Sequence, residues 1–258
     1  MRFAPLVLGM AVLPALLFSG DRAGAAPCSP ALLSAVEQGD VPSIAAALDA
    51  GAPIRCADDK GSTLLHVLVI EWIQDEDDGP PSDPVAKLLI NRGADANALD
   101  STGKTPLMLA CVLQKIEAVQ GLLAAGANPN AAGPDSSSAL ECALRGGDPD
   151  IVTALLRGRA NPNQRISGKG LPLISAVTLG SPALVELLLR AGADPNLASA
   201  KGTSALDQAR SSRNTSMVAL LKKPVPPEQM LKLDPAPAPS TPNGASSPAQ
   251  TPPEKPKR

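Results

Sequence analysis

The sequence predicts an all-α solenoid of stacked helix-turn-helix hairpins, because two sets of residues repeat in one register. The first is an asparagine that recurs every 33 residues, at Asn97, Asn130, Asn163 and Asn196. The second is a leucine with an alanine three positions later, which recurs at the same interval from Leu107 and Ala110 to Leu206 and Ala209. A fixed period of this length is typical of repeat proteins, in which one supersecondary unit is copied along the chain.

The first 26 residues have the layout of a secretory signal peptide. Arg2 precedes an apolar run, and small residues follow that run up to Ala26. We expect cleavage after Ala25 or Ala26, which would place the mature protein in the periplasm or outside the cell. An uncleaved membrane anchor is the alternative, although Pro14 interrupts the apolar run.

The repeated segments contain a recognisable pattern. Residues 100–110 read Asp-Ser-Thr-Gly-Lys-Thr-Pro-Leu-Met-Leu-Ala, and residues 122–128 read Leu-Leu-Ala-Ala-Gly-Ala-Asn. These stretches resemble the ankyrin-repeat pattern, and a second copy runs from Asp58 to His66. More degenerate copies begin near Gly133, Ile166 and Ser199. The resemblance covers nearly the whole chain between Cys28 and residue 223, and it implies a bacterial, exported ankyrin-repeat protein.

We predict four segments: a signal peptide over residues 1–26, an N-terminal capping repeat over 27–57, five ankyrin repeats over 58–223, and a disordered Pro-rich tail over 224–258. Within the repeats, Pro106 and Pro172 suit the first turn of a helix, and the Thr105 hydroxyl can cap exposed amides. Gly126 and Gly192 suit a left-handed helix end, and Arg159 at the equivalent position departs from that rule.

The first of the five repeats is longer than the others. Leu65 and Leu107 are 42 residues apart, so extra residues must lie between its two helices, at about 70–84. This acidic insertion contains Trp72, and it is either a solvated loop or an interface anchor. A calcium site there lacks the third oxygen ligand and the closing Glu of a calcium-binding loop.

Little in the sequence favours catalysis or a cofactor. The one histidine, His66, coincides with the His of the ankyrin pattern, which implies a structural hydrogen bond between repeats. Gly103-Lys104-Thr105 ends like a phosphate-binding loop but lacks the upstream Gly. We therefore predict no enzyme, no metal and no cofactor. The formal net charge of −2 and the scarcity of aromatic residues argue against nucleic acid or membrane surfaces as partners.

The four cysteines allow disulfides in an exported protein. Repeat register puts Cys28 and Cys56 near hairpin turns of adjoining units, and we predict that this pair is bonded. Cys111 and Cys142 lie in the first helices of adjacent repeats, where they either pair or pack as small apolar residues.

In the ankyrin family, partners dock on the concave surface formed by hairpin tips and first helices. The resemblance therefore implies a monomer that binds, inhibits or protects a protein client, for example as an immunity factor or a helper of an exported enzyme. A redox or stress-protection protein acting through its cysteines is the alternative. Register assigns to the binding surface Asp59, Lys60, Ser62, Ile70, Glu71, Trp72, Ser101, Thr102, Lys104, Val112, Leu113, Asp135, Ser137, Arg145, Thr178, Leu179, Lys201 and Thr203.

Overall fold

The computed structural model describes residues 26–58, 60–71, 82–133, 137–165 and 170–232. In these ranges the chain forms twelve α-helices arranged as six hairpins. The helices, in chain order, are α1 Pro30–Glu37, α2 Val41–Asp49, α3 Leu64–Glu71, α4 Ser82–Asn91, α5 Pro106–Val112, α6 Ile116–Ala124, α7 Ala139–Gly146, α8 Pro149–Arg157, α9 Pro172–Thr178, α10 Pro182–Arg190, α11 Ala205–Ser211 and α12 Thr215–Lys222. This confirms the predicted all-α solenoid.

The first helices begin where the sequence predicts. Pro106 and Pro172 each occupy the first turn of a helix, where no amide donor is needed. The Met108 N–H donates to Thr105 Oγ1 over 3.2 Å, which satisfies one of the exposed amides at the start of α5. Ser138 and Ser204 cap α7 and α11 in the same way. The cap therefore recurs in three repeats, whereas α9 begins after Leu171 without a side-chain cap.

The helices form two layers. The odd-numbered first helices contact one another along the stack, and so do the even-numbered second helices. The interior contains the periodic residues that predicted the repeat: Leu107 and Leu140 are buried, as are Ala110 and Ala143. Leu206 is only half-buried, and α11 is the last first helix among the described residues. A hairpin of this size depends on its neighbours to cover its apolar side.

Left-handed residues recur at two positions of the repeat, after the first helix and after the second helix. Gly126 and Gly192 adopt positive φ after the second helix, as predicted, and Arg159 does so at φ 70° in the same register. A side chain in this conformation crowds its own backbone. Gln114 and Arg213 stand at another such position, between first and second helices, with φ of 57° and 54°. The turn geometry is thus kept even where glycine is not.

The N-terminal end contains an element that the sequence did not predict. Residues Ala26–Pro27 form a short strand, β1, which pairs in parallel with β2 at Cys56–Ala57. The disulfide between Cys28 and Cys56 follows directly, and the two Cα atoms lie 4.8 Å apart. The predicted pairing is present, and it ties the start of the described chain to the loop after α2.

The boundary predicted for the disordered tail at residue 224 is wrong for residues 224–232, which pack against the repeats. They include a 3-10 helix at Pro227–Gln229. Arg190 Nε donates to the Gln229 carbonyl, and the Leu231 N–H donates to the Arg190 carbonyl, both over 2.8 Å. Val225 and Leu231 contact the apolar core. The Pro-rich composition of this segment gave no indication that its two apolar side chains would pack against the core. The rest of the predicted tail, 233–258, lies outside the described residues.

The insertion lies between α3 and α4, as the repeat spacing predicts, but residues 72–81 are outside the described part of the chain. The same holds for residues 1–25, and so for nearly all of the predicted signal peptide. Among the described helices, none combines the length and apolar character required to cross a lipid bilayer.

Candidate protein-binding surface

An aspartate organises each of the first two hairpin tips, which are the loops that precede α3 and α5. Asp58 Oδ1 accepts hydrogen bonds from the N–H groups of Lys60 and Ser62, over 2.8 and 2.7 Å. Asp100 Oδ1 accepts from the N–H groups of Thr102 and Lys104, over 2.8 and 2.9 Å. Each carboxylate thus accepts two backbone N–H groups of its own loop, and these hydrogen bonds hold the loop backbone in a fixed turn.

These hydrogen bonds also affect the acidity of Asp100. Partial burial by itself would raise the pKa of this carboxyl group, but the hydrogen bonds from Lys104 and Thr102 stabilise the charged form. The net result is a pKa below the ordinary value for aspartate. Asp100 is therefore ionised at neutral pH, and its carboxylate is hydrogen-bonded within its own loop.

His66 links the first two tips. It is fully buried, and its Nδ1 accepts from the Thr63 N–H over 3.2 Å. Its Nε2 lies 3.0 Å from the Lys104 carbonyl in the next repeat, and since a carbonyl only accepts, Nε2 carries the proton. Burial lowers the pKa of His66 and outweighs the carbonyl and the charges of Asp100 and Asp58, which raise it. The predicted structural role of the histidine is confirmed.

The tips also contact each other through their backbones. The Ser101 N–H donates to the Lys60 carbonyl over 3.3 Å. A side chain at Gly61 would place its Cβ only 3.2 Å from the Ser101 nitrogen, so the two loops approach closely where Gly61 is needed. Neighbouring tips therefore form one continuous edge. We call this edge, together with the exposed sides of α3, α5, α7, α9 and α11, the first-helix face.

Exposed apolar side chains lie at the far end of the first helices. Ile70 is 38% exposed, Val112 47% and Leu179 51%. Ile70 and Val112 occupy the same register in adjoining repeats, and Leu179 caps α9 one position later. At about 1.5 Å of helix rise per residue, this row lies roughly 9 Å from the tips. The first-helix face therefore has a polar edge and an apolar edge.

The other residues assigned to the binding surface differ in accessibility. Exposed are Lys60, Ser101, Thr102, Arg145, Thr178 and Lys201, and half-buried are Glu71, Lys104, Leu113, Ser137 and Thr203. The assignment of Ser62 to the surface is wrong, because this residue is only 6% exposed. Its N–H donates to Asp58 Oδ1, and its carbonyl accepts from the Asp58 N–H, so Ser62 lies beneath the tip. The assignments of Asp59, Trp72 and Asp135 fall outside the described residues.

A shallow groove of about 300 Å³ lies between the last two repeats. Ile174 of α9 and Gln208 of α11 line it, together with Lys201 and Thr203 of the last tip. The groove thus brings two of the predicted binding residues together next to an apolar side chain.

Two features of the surface escaped the sequence analysis. One is Leu99, which is 42% exposed beside the second tip. The other is the structural role of the periodic asparagines, which form hydrogen bonds to the next repeat. Asn130 Oδ1 accepts from the Asn161 N–H over 2.7 Å, and its Nδ2 donates to the Arg159 carbonyl over 3.0 Å. Asn163 makes the equivalent bonds to the next repeat. The strict period of these asparagines was the sequence signal from which a role in every repeat could have been predicted.

The described residues offer little for catalysis or metal binding. They contain no group of three or more His, Cys, Asp or Glu side chains that could hold a metal ion. Lys104 Nζ donates to Thr102 Oγ1 over 2.8 Å, and Thr105 caps α5, so repeat structure explains both residues. Both ring nitrogens of His66 are occupied, which leaves no free general base on that side chain.

Cys111 and Cys142 are buried in α5 and α7, and neither takes part in a disulfide. Burial, together with the nearby Cys142, strongly raises the pKa of the Cys111 thiol. A buried thiol with a raised pKa is a poor nucleophile, because the thiolate is the reactive form. The reading of these residues as small apolar core residues fits the structure, and no bond joins them.

Comparisons with known proteins agree with this geometry. A family model described as "Ankyrin repeats (3 copies)" matches over residues 32–133, 73–166 and 139–230. The solved ankyrin repeat domain of Bcl-3, described as a unique member of the IkappaB protein family, is 28% identical, with a TM-score of 0.64 over 76% of this chain and 86% of that one. The solved ankyrin repeat protein EF0377 is also 28% identical, with a TM-score of 0.61 over 76% of this chain and 98% of that one. No curated protein sequence gave a match.

Proposed function

The chain belongs to the ankyrin-repeat family, and from that premise we propose that it is an exported scaffold that holds one protein client on its first-helix face. Ankyrin repeats generally mediate interactions between proteins. The client is bound, inhibited or protected, as an immunity factor binds a toxin or a helper binds an exported enzyme. The scaffold acts as a monomer.

The observation that carries this proposal is the apolar edge of the first-helix face. Ile70, Val112 and Leu179 are among the few large apolar side chains that the described residues leave exposed. Their exposure costs free energy in the isolated protein, and a partner would recover it by covering them. Charged and polar tips at the opposite edge give the mixed composition of a protein interface.

Two observations support export. Residues 1–26 have the composition of a signal peptide, and Cys28 and Cys56 are bonded. Disulfides persist in oxidising compartments such as the periplasm and are rare in the cytosol. Fractionation of the producing cells tests this part: mature protein lacking residues 1–25 or 1–26 is expected in the periplasmic fraction, and full-length protein in the cytosol would contradict it.

The binding proposal is tested by affinity capture from a periplasmic extract. The full chain is compared with a triple variant carrying Ile70→Ser, Val112→Ser and Leu179→Ser. We expect the triple variant to lose the client captured by the unchanged protein. The matched control is Met230→Ser, because Met230 is 40% exposed but lies on the docked C-terminal segment. Equal capture by the triple variant would refute the proposed surface, provided that its circular dichroism spectrum is unchanged.

The redox alternative requires a reactive, accessible thiol. Cys28 and Cys56 are bonded, and Cys111 and Cys142 are buried. Thiol counting distinguishes the two functions: the native protein should show no rapidly labelled cysteine, and the denatured, unreduced protein should show two. One fast-reacting thiol in the native protein would favour the redox function.

A further inference from the structure

We infer that the disulfide between Cys28 and Cys56 fixes the first hairpin tip, so that the N-terminal end of the first-helix face takes its final form only after these two thiols are oxidised. This inference rests on the proposed function, because it concerns the exported protein and its binding face. It follows from a comparison of the loop before the first tip with the equivalent loops of later repeats.

Each later loop contains a turn that is closed by an aspartate or asparagine side chain. After α6, for example, Asn128 Oδ1 accepts from the Asn130 N–H over 3.0 Å. In the loop after α2 the equivalent position, two residues after Gly51, is Pro53. A proline ring carries no acceptor, so the side chain of Pro53 cannot close this turn. The side-chain turn recurs at Asp95, Asn161 and Asp194.

The later loops are also bonded to one another by the periodic asparagines. Asn97 Oδ1 accepts from the Asn128 N–H of the next loop over 3.0 Å. Arg55 takes the place of this asparagine in the loop after α2. Its Nε donates to the Gly93 carbonyl over 3.2 Å, but a guanidinium group cannot accept a hydrogen bond. The loop that leads into the first tip therefore lacks two side-chain hydrogen bonds that the loops after α4, α6 and α8 contain.

The N-terminal strand supplies contacts that the later loops do not have. β1 pairs with β2 at Cys56–Ala57, and the Cys28 N–H donates to the Ala57 carbonyl over 3.4 Å. The disulfide adds a covalent bond at Cys56, whose side chain is fully buried. β1 has only two residues, and so short a strand pairs weakly without a further constraint. The disulfide is therefore what keeps β1 paired with β2.

The first tip follows β2 without an intervening residue. Asp58, whose carboxylate orders the tip, comes directly after Ala57. Ala57 also forms an antiparallel bridge with Thr63, the residue at the other end of the tip, and the Thr63 N–H donates to His66 Nδ1. β2 thus forms the base of the tip. A shift of β2 would move both ends of the loop.

The bond forms by thiol–disulfide exchange. The Cys28 and Cys56 thiols transfer two protons and two electrons to a disulfide of the oxidising compartment, carried by a protein or a small molecule, whose two sulfurs leave as thiols. Disulfides are rare in the reducing cytosol, so the pair stays reduced before export. The first tip therefore becomes fixed in the compartment where the client is bound, whereas the second tip needs no oxidation.

The test is amide hydrogen exchange, followed by NMR, on the full chain without a client. The oxidised protein is compared with the double variant Cys28→Ser and Cys56→Ser, and with the unchanged protein after reduction by dithiothreitol. In both reduced forms the N–H groups of Lys60 and Ser62 should exchange about tenfold to hundredfold faster, because a loop of this length gains freedom when its disulfide is removed.

The second tip is the internal control. The N–H groups of Thr102 and Lys104 donate to Asp100 as those of Lys60 and Ser62 donate to Asp58, and their exchange rates should stay unchanged. The matched variant is Cys111→Ala with Cys142→Ala, which removes two buried cysteines from the core and should leave exchange in the first tip unchanged.

Each other outcome has a definite meaning. Unchanged exchange at Lys60 and Ser62 in the reduced forms would overturn the inference and leave the proposed function intact, since no client is present. Faster exchange throughout α5 to α10 would show that the bond supports the whole stack, and it would overturn the local role. A first tip that loosens on reduction, in a protein that captures no client, would support the inference and contradict the proposed function.

Discussion

Replacing His66 tests how strongly the repeats depend on contacts between them. In His66→Ala, the Lys104 carbonyl loses its donor and the Thr63 N–H loses its acceptor. The removed ring also leaves a cavity in a fully buried site. Two lost hydrogen bonds, one with a partner in the next repeat, plus the lost packing should lower the free energy of unfolding by about 2–4 kcal/mol.

The matched variant is His66→Met, because Met108 occupies the equivalent buried position in the next repeat. This variant keeps most of the packing and removes only the hydrogen bonds, so its loss should be about 1–3 kcal/mol. Urea unfolding followed by circular dichroism measures both. A loss below about 1 kcal/mol in His66→Ala would refute the account of His66 as a link between repeats.

The lowered pKa of His66 also predicts a pH dependence. The unfolded histidine takes up a proton near pH 6.5, whereas the folded one does so only at lower pH. The free energy of unfolding should therefore fall as the pH drops below about 6.5, by at most about 1.4 kcal/mol per unit, until the folded pKa is reached. Carboxylates such as Asp100, whose pKa is lowered, titrate below this window.

His66→Met should lose this slope between pH 7 and 5.5. Because the chain has one histidine, its ring gives a single set of NMR signals, and we expect a proton on Nε2 and none on Nδ1 at pH 7. A proton on Nδ1, or titration at the ordinary value, would contradict the geometry.

Four further substitutions test the turns, the asparagine series and the C-terminal segment by urea unfolding. Arg159→Gly should stabilise the protein by about 1 kcal/mol, since it relieves a side chain held at positive φ, and Gly192→Arg should destabilise it similarly; no change in either would contradict the strain. Asn130→Ala should cost about 1–2 kcal/mol through two lost bonds to the next repeat, and a neutral effect would discount those bonds. Leu231→Ser should cost about 1 kcal/mol, and an unchanged midpoint would show that residues 224–232 add nothing to stability.

Most of the fold could be predicted because its causes are local and repeated. The caps at Thr105 and the helix ends at Gly126 depend on residues a few positions away, so they are visible in the sequence. The bond from His66 to Lys104 crosses repeats, and it could be predicted only because His66 coincides with the His of the ankyrin pattern. The disulfide between Cys28 and Cys56 followed from the same register.

The features that could not be predicted from the sequence depend on contacts that do not recur from repeat to repeat. The packing of Leu231 against α10 depends on where the chain turns after the last helix, and nothing repeated marks that turn. Ser62 was assigned to the surface by register, yet the Asp58 carboxylate folds it under the tip. Val112 and Leu179 were assigned to the surface through the resemblance to ankyrin repeats, whereas Leu99 lies in a connecting loop outside that assignment.

Hydrogen–deuterium exchange on the full chain, alone and with the captured client, tests the central claim most directly. The account predicts that the client slows exchange in α3, α5 and α9 and in the tips around Lys104 and Lys201, and leaves the second helices α6 and α8 unchanged. Protection confined to second helices or to residues 224–258 would contradict it.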